Sequence, residues 1–278
     1  GKEYSLMKKR IAMVAAAVIL SVMMAVPSYA GSWKYVNNGW KYQRSASKYA
    51  MQEWITVEGK KYYMDANGYV STGWTQVDGQ WYYMDDTGAM QTGWLKDGMN
   101  WYFLSPLDGV MVTNTVIEGR QIDASGVWVP AEGQSEPVGS TLNLTNPVLV
   151  QNMTGLKTNG YSIIAQARTA DRQQNWSNAI RLYGKGSYVR FNNDGTYKIL
   201  AGQFSPSTTF DSGLMGKLTV YGDNDQVLYT SQDIHYNEKP LSFAVDVSSQ
   251  TQVKVEFSLT IDNEWDIPVL LVNQLSLY

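Results

Sequence analysis

The feature that most constrains this chain is a period of twenty. Trp54, Trp74 and Trp94 are twenty residues apart, and so are Lys61, Trp81 and Trp101, and Tyr62, Tyr82 and Tyr102. A fixed period of this size means an array of one small unit. The best-formed unit runs from Trp74 to Gly93. Asp78-Gly79 reads as a tight turn, and Trp81-Tyr82-Tyr83-Met84 has aromatic strand propensity. Asp85 to Gly88 reads as a second turn, after which Ala89 to Thr92 runs back. Each unit is predicted to be a β-hairpin plus a connector. A single hairpin is marginal in water, so the units must stack on one another. Alternation along the strand puts Trp81 and Tyr83 on one face and Tyr82 and Met84 on the other.

The series predicts four full units and a remnant. The first runs from Trp33 to Glu53 with one extra residue, and the second from Trp54 to Gly73. The third is the unit at Trp74, and the fourth runs from Trp94 to about Asn114 with an insertion at Ser105-Pro106-Leu107. Ile117 to Gly126 repeats the turn residues without the aromatics, as expected of a capping unit.

Composition removes several function classes. There is no cysteine, which excludes disulfides, thiolate metal sites and thiol nucleophiles. His235 is the single histidine, so a multi-histidine metal site is impossible. A formal net charge of −3 does not suit a nucleic-acid binder that neutralises phosphates. The excess is in amphipathic rings, 10 Trp and 19 Tyr against 6 Phe, which suggests rings used at surfaces. Neither a metal nor a cofactor is expected. At the start, Met7-Lys8-Lys9-Arg10 precedes an apolar run from Ile11 to Val26 and small residues up to Ala30. This reads as an export signal cut after Ala30. As a helix the run spans about 24 Å, short of the roughly 30 Å bilayer core, so no membrane association is expected after cleavage.

The segment from about 33 to 126 resembles the choline-binding, or cell-wall-binding, repeats of Gram-positive surface proteins. The matching residues are Gly73-Trp74, Trp81-Tyr82-Tyr83-Met84, and Gly88-Ala89-Met90 followed by Thr92-Gly93-Trp94. The resemblance implies a left-handed solenoid of stacked hairpins. It also implies an open box made by two Trp of one unit and a Tyr of the next. Such a box suits a quaternary ammonium, which donates no hydrogen bond and is best held by the negative faces of several rings. The Trp pairs seven apart are Trp33/Trp40, Trp74/Trp81 and Trp94/Trp101. The first pair can borrow Tyr62 or Tyr63 and the second Tyr102, whereas the third finds only Arg120, Gln121 and Ile122 downstream. Trp54 faces Lys61, a cation where a cation-binding wall belongs, so the second unit is expected to have no site. Two complete boxes are therefore expected. The candidate ligand residues are Trp33, Trp40, Tyr63, Trp74, Trp81, Tyr102, Trp94 and Trp101. Rings that merely glue hairpins together are the competing reading, and a polysaccharide is the alternative ligand, because rings stack on sugars as well.

Val129 to Thr141 reads as a flexible spacer. The domain division predicted is thus 1–30 export segment, 31–128 repeats, 129–141 linker and 142–278 a second domain. Residues 142–278 alternate apolar and polar over short runs, with turns at Asn193-Asp194-Gly195 and Gly222-Asp223-Asn224-Asp225. This predicts an antiparallel β-sandwich, making the whole protein all-β: a solenoid of hairpins followed by a sandwich. The order of runs, from Asn178-Ala179-Ile180 through Gly216-Lys217-Leu218-Thr219-Val220-Tyr221 to the closing stretch from Val269, resembles the NPCBM carbohydrate-binding modules, which are galactose-binding-like jelly rolls. That resemblance implies a sugar ligand, although the family's acidic, His-containing segment is replaced here by Asp262-Asn263-Glu264-Trp265-Asp266. Candidate glycan-binding residues are Trp176, Arg181, Trp265 and Asp266, against the alternative that each Trp seals the sandwich core. Asp223 and Asp225 are read as turn chemistry in preference to a calcium site, and His235 as a surface residue. No G-x-S-x-G, H-E-x-x-H or phosphate loop occurs, and no enzymatic activity is expected. The function expected is an exported binding protein, held on wall choline, teichoic acid or polysaccharide, whose second domain binds a glycan or protein. The alternatives are an adhesin or coat protein without glycan specificity, or an accessory to wall hydrolysis.

Overall fold

The computed structural model describes residues 31–137, 147–169, 175–183, 186–207, 213–236, 238–259 and 269–278. The export segment, Asp262, Glu264, Trp265, Asp266 and residues 138–141 of the spacer lie outside the described residues. The chain divides into two compact units, one ending at Gln91 and the other Thr92–Tyr278. Among the described residues the structure is all-β, with short 3-10 turns at Val150–Asn152 and Asp223–Asp225.

The first unit holds the first three predicted hairpins. Ser32–Val36 pairs with Gly39–Ser45, which continues into Lys48–Tyr49. Glu53–Val57 pairs with Lys60–Met64, and Gly73–Val77 with Gln80–Met84. The turns Asn37-Asn38, Glu58-Gly59 and Asp78-Gly79 have positive φ at both central residues. This mirror-image turn matches the right-handed twist of the strands it joins. A Cβ on Gly59 or Gly79 would meet nothing, so glycine is there for backbone conformation and not for room.

The connectors after the second and third hairpins start from an aspartate that folds the chain back. The Asp65 carboxylate accepts the N–H groups of Asn67 and Tyr69, both at 2.8 Å, and Asp85 does the same for Thr87 and Ala89. The returning connector then bonds to the preceding hairpin. Val70 N–H reaches the Trp40 carbonyl and Met90 N–H the Lys61 carbonyl, each at 2.9 Å. These bonds stitch the stack, and Met64 and Met84 are fully buried in it.

The second unit contains two more hairpins and the sandwich. Gly93–Asp97 pairs with Asn100–Leu104, and Thr115–Ile117 with Arg120–Ile122. In the sandwich, one antiparallel sheet runs Tyr161–Arg168, Asn175–Tyr183, Val269–Leu277, Ile199–Pro206, Leu241–Asp246, with Val148–Leu149 added on Val269–Leu277. The other runs Lys157–Asn159, Ser187–Asn192, Gln252–Leu259, Leu214–Tyr221, Val227–Thr230, with Ile234–His235 added on Leu214–Tyr221. Leu182, Phe191, Leu200, Phe204, Leu218 and Phe257 fill the space between them.

Alternation leaves Ile199, Ala201 and Ala244 on the outer face of the first sheet. They are nonetheless buried, because Phe103, Ile117, Ile122 and Trp128 of the last two hairpins pack on them. Thr115 Oγ1 donates to the Ala244 carbonyl at 3.1 Å, and Gly119 N–H to the Asp246 carboxylate at 3.0 Å. The fifth hairpin, expected as a capping unit without exposed rings, ends the hairpin series and packs on the sandwich. The insertion at Ser105-Pro106-Leu107 has a matching purpose. Ser105 stands where Asp65, Asp85 and Asp123 follow the second, third and fifth hairpins, and the carboxylate appears at Asp108 instead. Asp108 Oδ2 there accepts from Gln203 Nε2 at 3.0 Å and from the Ser242 hydroxyl at 2.5 Å.

The stretch expected to be a flexible spacer is held down over its first part. Gln134 accepts from Trp128 Nε1 at 3.2 Å and donates to the Gly119 carbonyl at 3.0 Å, Arg120 reaches the Ser135 carbonyl, and Glu136 pairs with Lys96 at 2.8 Å. Its lack of periodicity reflects an irregular path over the hairpins.

Candidate functional site

Cross-strand register decides which rings meet. Trp74 stands opposite Tyr83 and Gln76 opposite Trp81, so Trp74, Trp81 and Tyr83 share one face of the third hairpin. The ring centroids of Trp74 and Trp81 are 6.5 Å apart at 84°. Tyr83 backs Trp74 at 5.3 Å. Trp81 is 41% exposed and Trp74 is partly exposed, so the two indoles form a corner reached by solvent. This is the most open pair of indoles in the hairpins.

In the first hairpin Trp33 lies edge-on to Tyr42 at 5.2 Å and to Tyr62 of the second hairpin at 5.0 Å. The structure thus brings Tyr62, and not Tyr63, to Trp33. Tyr63 projects from the opposite face of its strand and packs on Trp54 at 5.2 Å. Trp40 packs on Tyr35 at 5.2 Å, and its buried Nε1 has no hydrogen-bond partner. Trp54 also meets Tyr82 of the third hairpin at 4.8 Å, so the first Trp of a unit meeting the first Tyr of the next is a recurring joint. Lys61 is exposed on the face of Trp54, where the third hairpin has Trp81. Burial raises the pKa of Tyr62, as do the charges of Asp85 and Glu58; Tyr63 is raised by burial and by Asp78 and Asp65. Both phenols therefore stay neutral, and negative charge lies close to the rings.

The fourth hairpin repeats the pattern with a different outcome. Trp94 is only 7% exposed, its Nε1 donates to Glu118 at 2.9 Å, and its ring packs on Phe103. Lys96 stands opposite Trp101 and holds its ammonium 5.4 Å from the ring centre. The position a bound cation would take is filled by the chain itself. Register alone could have revealed this, since a two-residue turn at Gly98-Met99 forces Lys96 opposite Trp101. Tyr102 is partly buried on the other face, opposite Leu95.

In the sandwich, Trp176 is 4% exposed and packs with Ala179 and Leu271. Its ring is a packing residue, the alternative weighed from sequence. Arg181 is exposed, with its guanidinium 5.5 Å from the Tyr183 ring centre. Trp176 and Arg181 are not brought together: the positive φ of Asn178 lies between them, and the first is buried while the second faces solvent. No group of three or more Asp, Glu or His among the described residues is placed to hold a metal. Asp223 spends both its oxygens on the backbone N–H groups of Thr251 and Gln252, and these bonds hold its carboxyl below the usual range.

With this geometry in hand, residues 71–115 match the profile of the choline-binding repeat and residues 52–70 that of the cell wall binding repeat. The choline-binding domain of Spr1274 from Streptococcus pneumoniae is 32% identical over 31% of this chain and 100% of that one, with a TM-score of 0.28. The chain belongs to the family of choline-binding repeat proteins. Choline binding protein F from S. pneumoniae, solved with a peptidoglycan analogue, is 32% identical over 36% of this chain, with a TM-score of 0.34; this chain spans 34% of its length. A CBM51 module from Clostridium perfringens, in complex with methyl-galactose, aligns over 48% of this chain and 100% of its own at 12% identity and a TM-score of 0.38. No curated protein matches the chain. Choline-binding repeats bind the cell wall non-covalently, and the matched ranges include Trp54, Trp74, Trp81, Trp94 and Trp101.

Proposed function

We propose that this choline-binding repeat protein is exported and held on the cell wall by its first three hairpins, with the sandwich displayed as a glycan-binding module. The observation that carries the reading is the open corner of Trp74 and Trp81. Two rings at 84° and 6.5 Å enclose a compact cation from two sides, whereas stacking on a sugar needs one flat platform. Each desolvated contact between a ring and a quaternary ammonium is worth on the order of 2 kcal/mol. Choline of teichoic acid is therefore favoured over bare polysaccharide as the repeat ligand. The charges of Asp85 at Tyr62 and of Asp65 and Asp78 at Tyr63 place negative charge among the hairpins, which favours a cationic ligand over a neutral one.

The fourth pair is assigned no ligand, because Trp94 is buried and Lys96 covers Trp101. Trp33 with Tyr62 is assigned a second, less open position, on the hairpin face that also carries Trp40. The role is one of binding and display, with chemistry left to other proteins of the wall. Retention of the full chain on a quaternary-ammonium resin, with release by free choline, is the test. Passage through that resin together with pulldown by unsubstituted polysaccharide would replace choline with sugar.

A further inference from the structure

The outer face of the second sandwich sheet carries an arrangement that packing does not require. Inward-facing Val189, Phe191, Leu218, Val220, Val253 and Val255 are buried, so alternation turns Tyr188, Arg190, Lys254, Glu256 and Tyr221 outward. Register aligns them in two adjacent rows across three strands. Tyr188 is opposite Glu256, which is opposite Thr219; Arg190 is opposite Lys254, which is opposite Tyr221. Like charges directly opposite one another destabilise a sheet, and Arg190 and Lys254 are such a pair. Asp225 offsets them, at 3.5 Å from Arg190 and 3.3 Å from Lys254, and Glu256 adds a contact to Lys254 at 2.9 Å. The cations lie against the rings, Lys254 at 4.0 Å from the Tyr221 centre and Arg190 at 5.8 Å from that of Tyr188. Arg190 Nε is buried without a hydrogen-bond partner.

We infer that this face is the glycan site of the module, and that its ligand is a neutral oligosaccharide. The inference rests on the display reading above and gives it a location. Lys254 covers one face of the Tyr221 ring and Arg190 one face of the Tyr188 ring. The two tyrosines stand about 12 Å apart, from two strand spacings and two residues of rise, so that the parts of both rings left open to solvent reach one chain of a few pyranose units. Between them lie donors, Arg190 and Lys254, next to acceptors, Glu256 and Asp225. Vicinal hydroxyls each donate and accept, so they match a mixed lattice of this kind. A phosphate or uronate would meet Glu256 and Asp225 as like charges. The outer face of the other sheet is covered by the docked hairpins, at Ile199, Ala201 and Ala244, and is not available for the same role.

The test uses the full chain carrying Trp74→Ala and Trp81→Ala, which removes the open rings of the repeats. It is screened on an array of neutral hexose and N-acetylhexosamine oligosaccharides beside uronic-acid and phosphorylated ones, and the best ligand is titrated by calorimetry. Binding of a neutral oligosaccharide is expected, weakened about tenfold by Tyr188→Ala or Tyr221→Ala and by Arg190→Gln, and kept by Tyr188→Phe. Thermal melts confirm that these variants fold. Neutral-glycan binding unchanged in all three variants would put the site elsewhere while leaving the display reading intact. Binding confined to acidic glycans would overturn the ligand class. Binding of no glycan at all would remove the display reading and this site with it.

Discussion

The third and fourth hairpins are the same sequence pattern in two surroundings. In both, a leading Trp faces an aromatic across the strand, at Tyr83 or Phe103, and a second Trp follows seven residues later. In the third, the second ring is exposed and forms a corner with the first. In the fourth, the first ring is buried against the docking hairpin and the second is covered by Lys96. An aromatic repeat therefore does not by itself specify a ligand site. What packs beside a ring decides whether it stays open: Trp81 is exposed, Trp94 is buried with the fifth hairpin and the sandwich, and Trp101 is covered by Lys96 of its own hairpin.

The sharpest way to break this comparison is to delete the corresponding rings. Phe103→Ala, in the docked hairpin, is expected to cost about 3–5 kcal/mol in a denaturant melt of the second unit. Trp81→Ala, at the exposed position, should cost no more than about 0.5 kcal/mol yet lose most resin retention. Equal stability losses would erase the distinction. Next in size is Asp108→Ala, which strands Gln203 and Ser242 and is expected to cost about 1–3 kcal/mol. Limited proteolysis near residue 110 should then accelerate; an unchanged cleavage pattern would mean that the carboxylate does not hold the hairpins to the sheet. Lys61→Trp tests the comparison from the opposite direction, by building the missing second indole opposite Thr56 beside Trp54. It should add one choline equivalent in calorimetry, and unchanged stoichiometry would show that two indoles on this face are not sufficient.

The smallest expected effect is on pH. Tyr278 sits with Asp108 near the docked hairpins, and burial first, then the Asp108 charge, pushes its pKa up to about 12. Its folded value lies above the ordinary 10, so its contribution is fully present below pH 10 and is lost as pH rises toward 12. The half-buried Tyr229, packed against the sandwich core, is shifted in the same direction. The second unit should therefore lose stability through this window in alkaline melts. A flat profile would mean that the phenol is not buried.

Much of this was legible in the sequence because period and alternation are local. The twenty-residue spacing located each hairpin, Asp78-Gly79 marked a turn, and the split of Trp81 and Tyr83 from Tyr82 and Met84 follows from strand geometry. The sandwich strands at Ser187–Asn192 and Gln252–Leu259 were equally visible, since every second residue is buried. What escaped were contacts between elements distant in sequence. Asp108 meets Ser242 across 134 positions, and nothing local in Ser105-Pro106-Leu107-Asp108 announces that partner. The choice of Tyr62 over Tyr63 was within reach, because alternation had already placed these two on opposite faces. Trp176 shows the opposite limit: a lone Trp looks alike in sequence whether it packs or binds, and only its burial separates the two.

The most direct measurement is a titration of the 15N-labelled protein with choline, following the indole N–H resonances. Trp74 and Trp81 are expected to shift most, Trp33 and Trp40 to follow, and Trp94, Trp128 and Trp176 to stay still. If Trp94 or Trp128 moved while Trp81 did not, the division between open and docked hairpins would be contradicted.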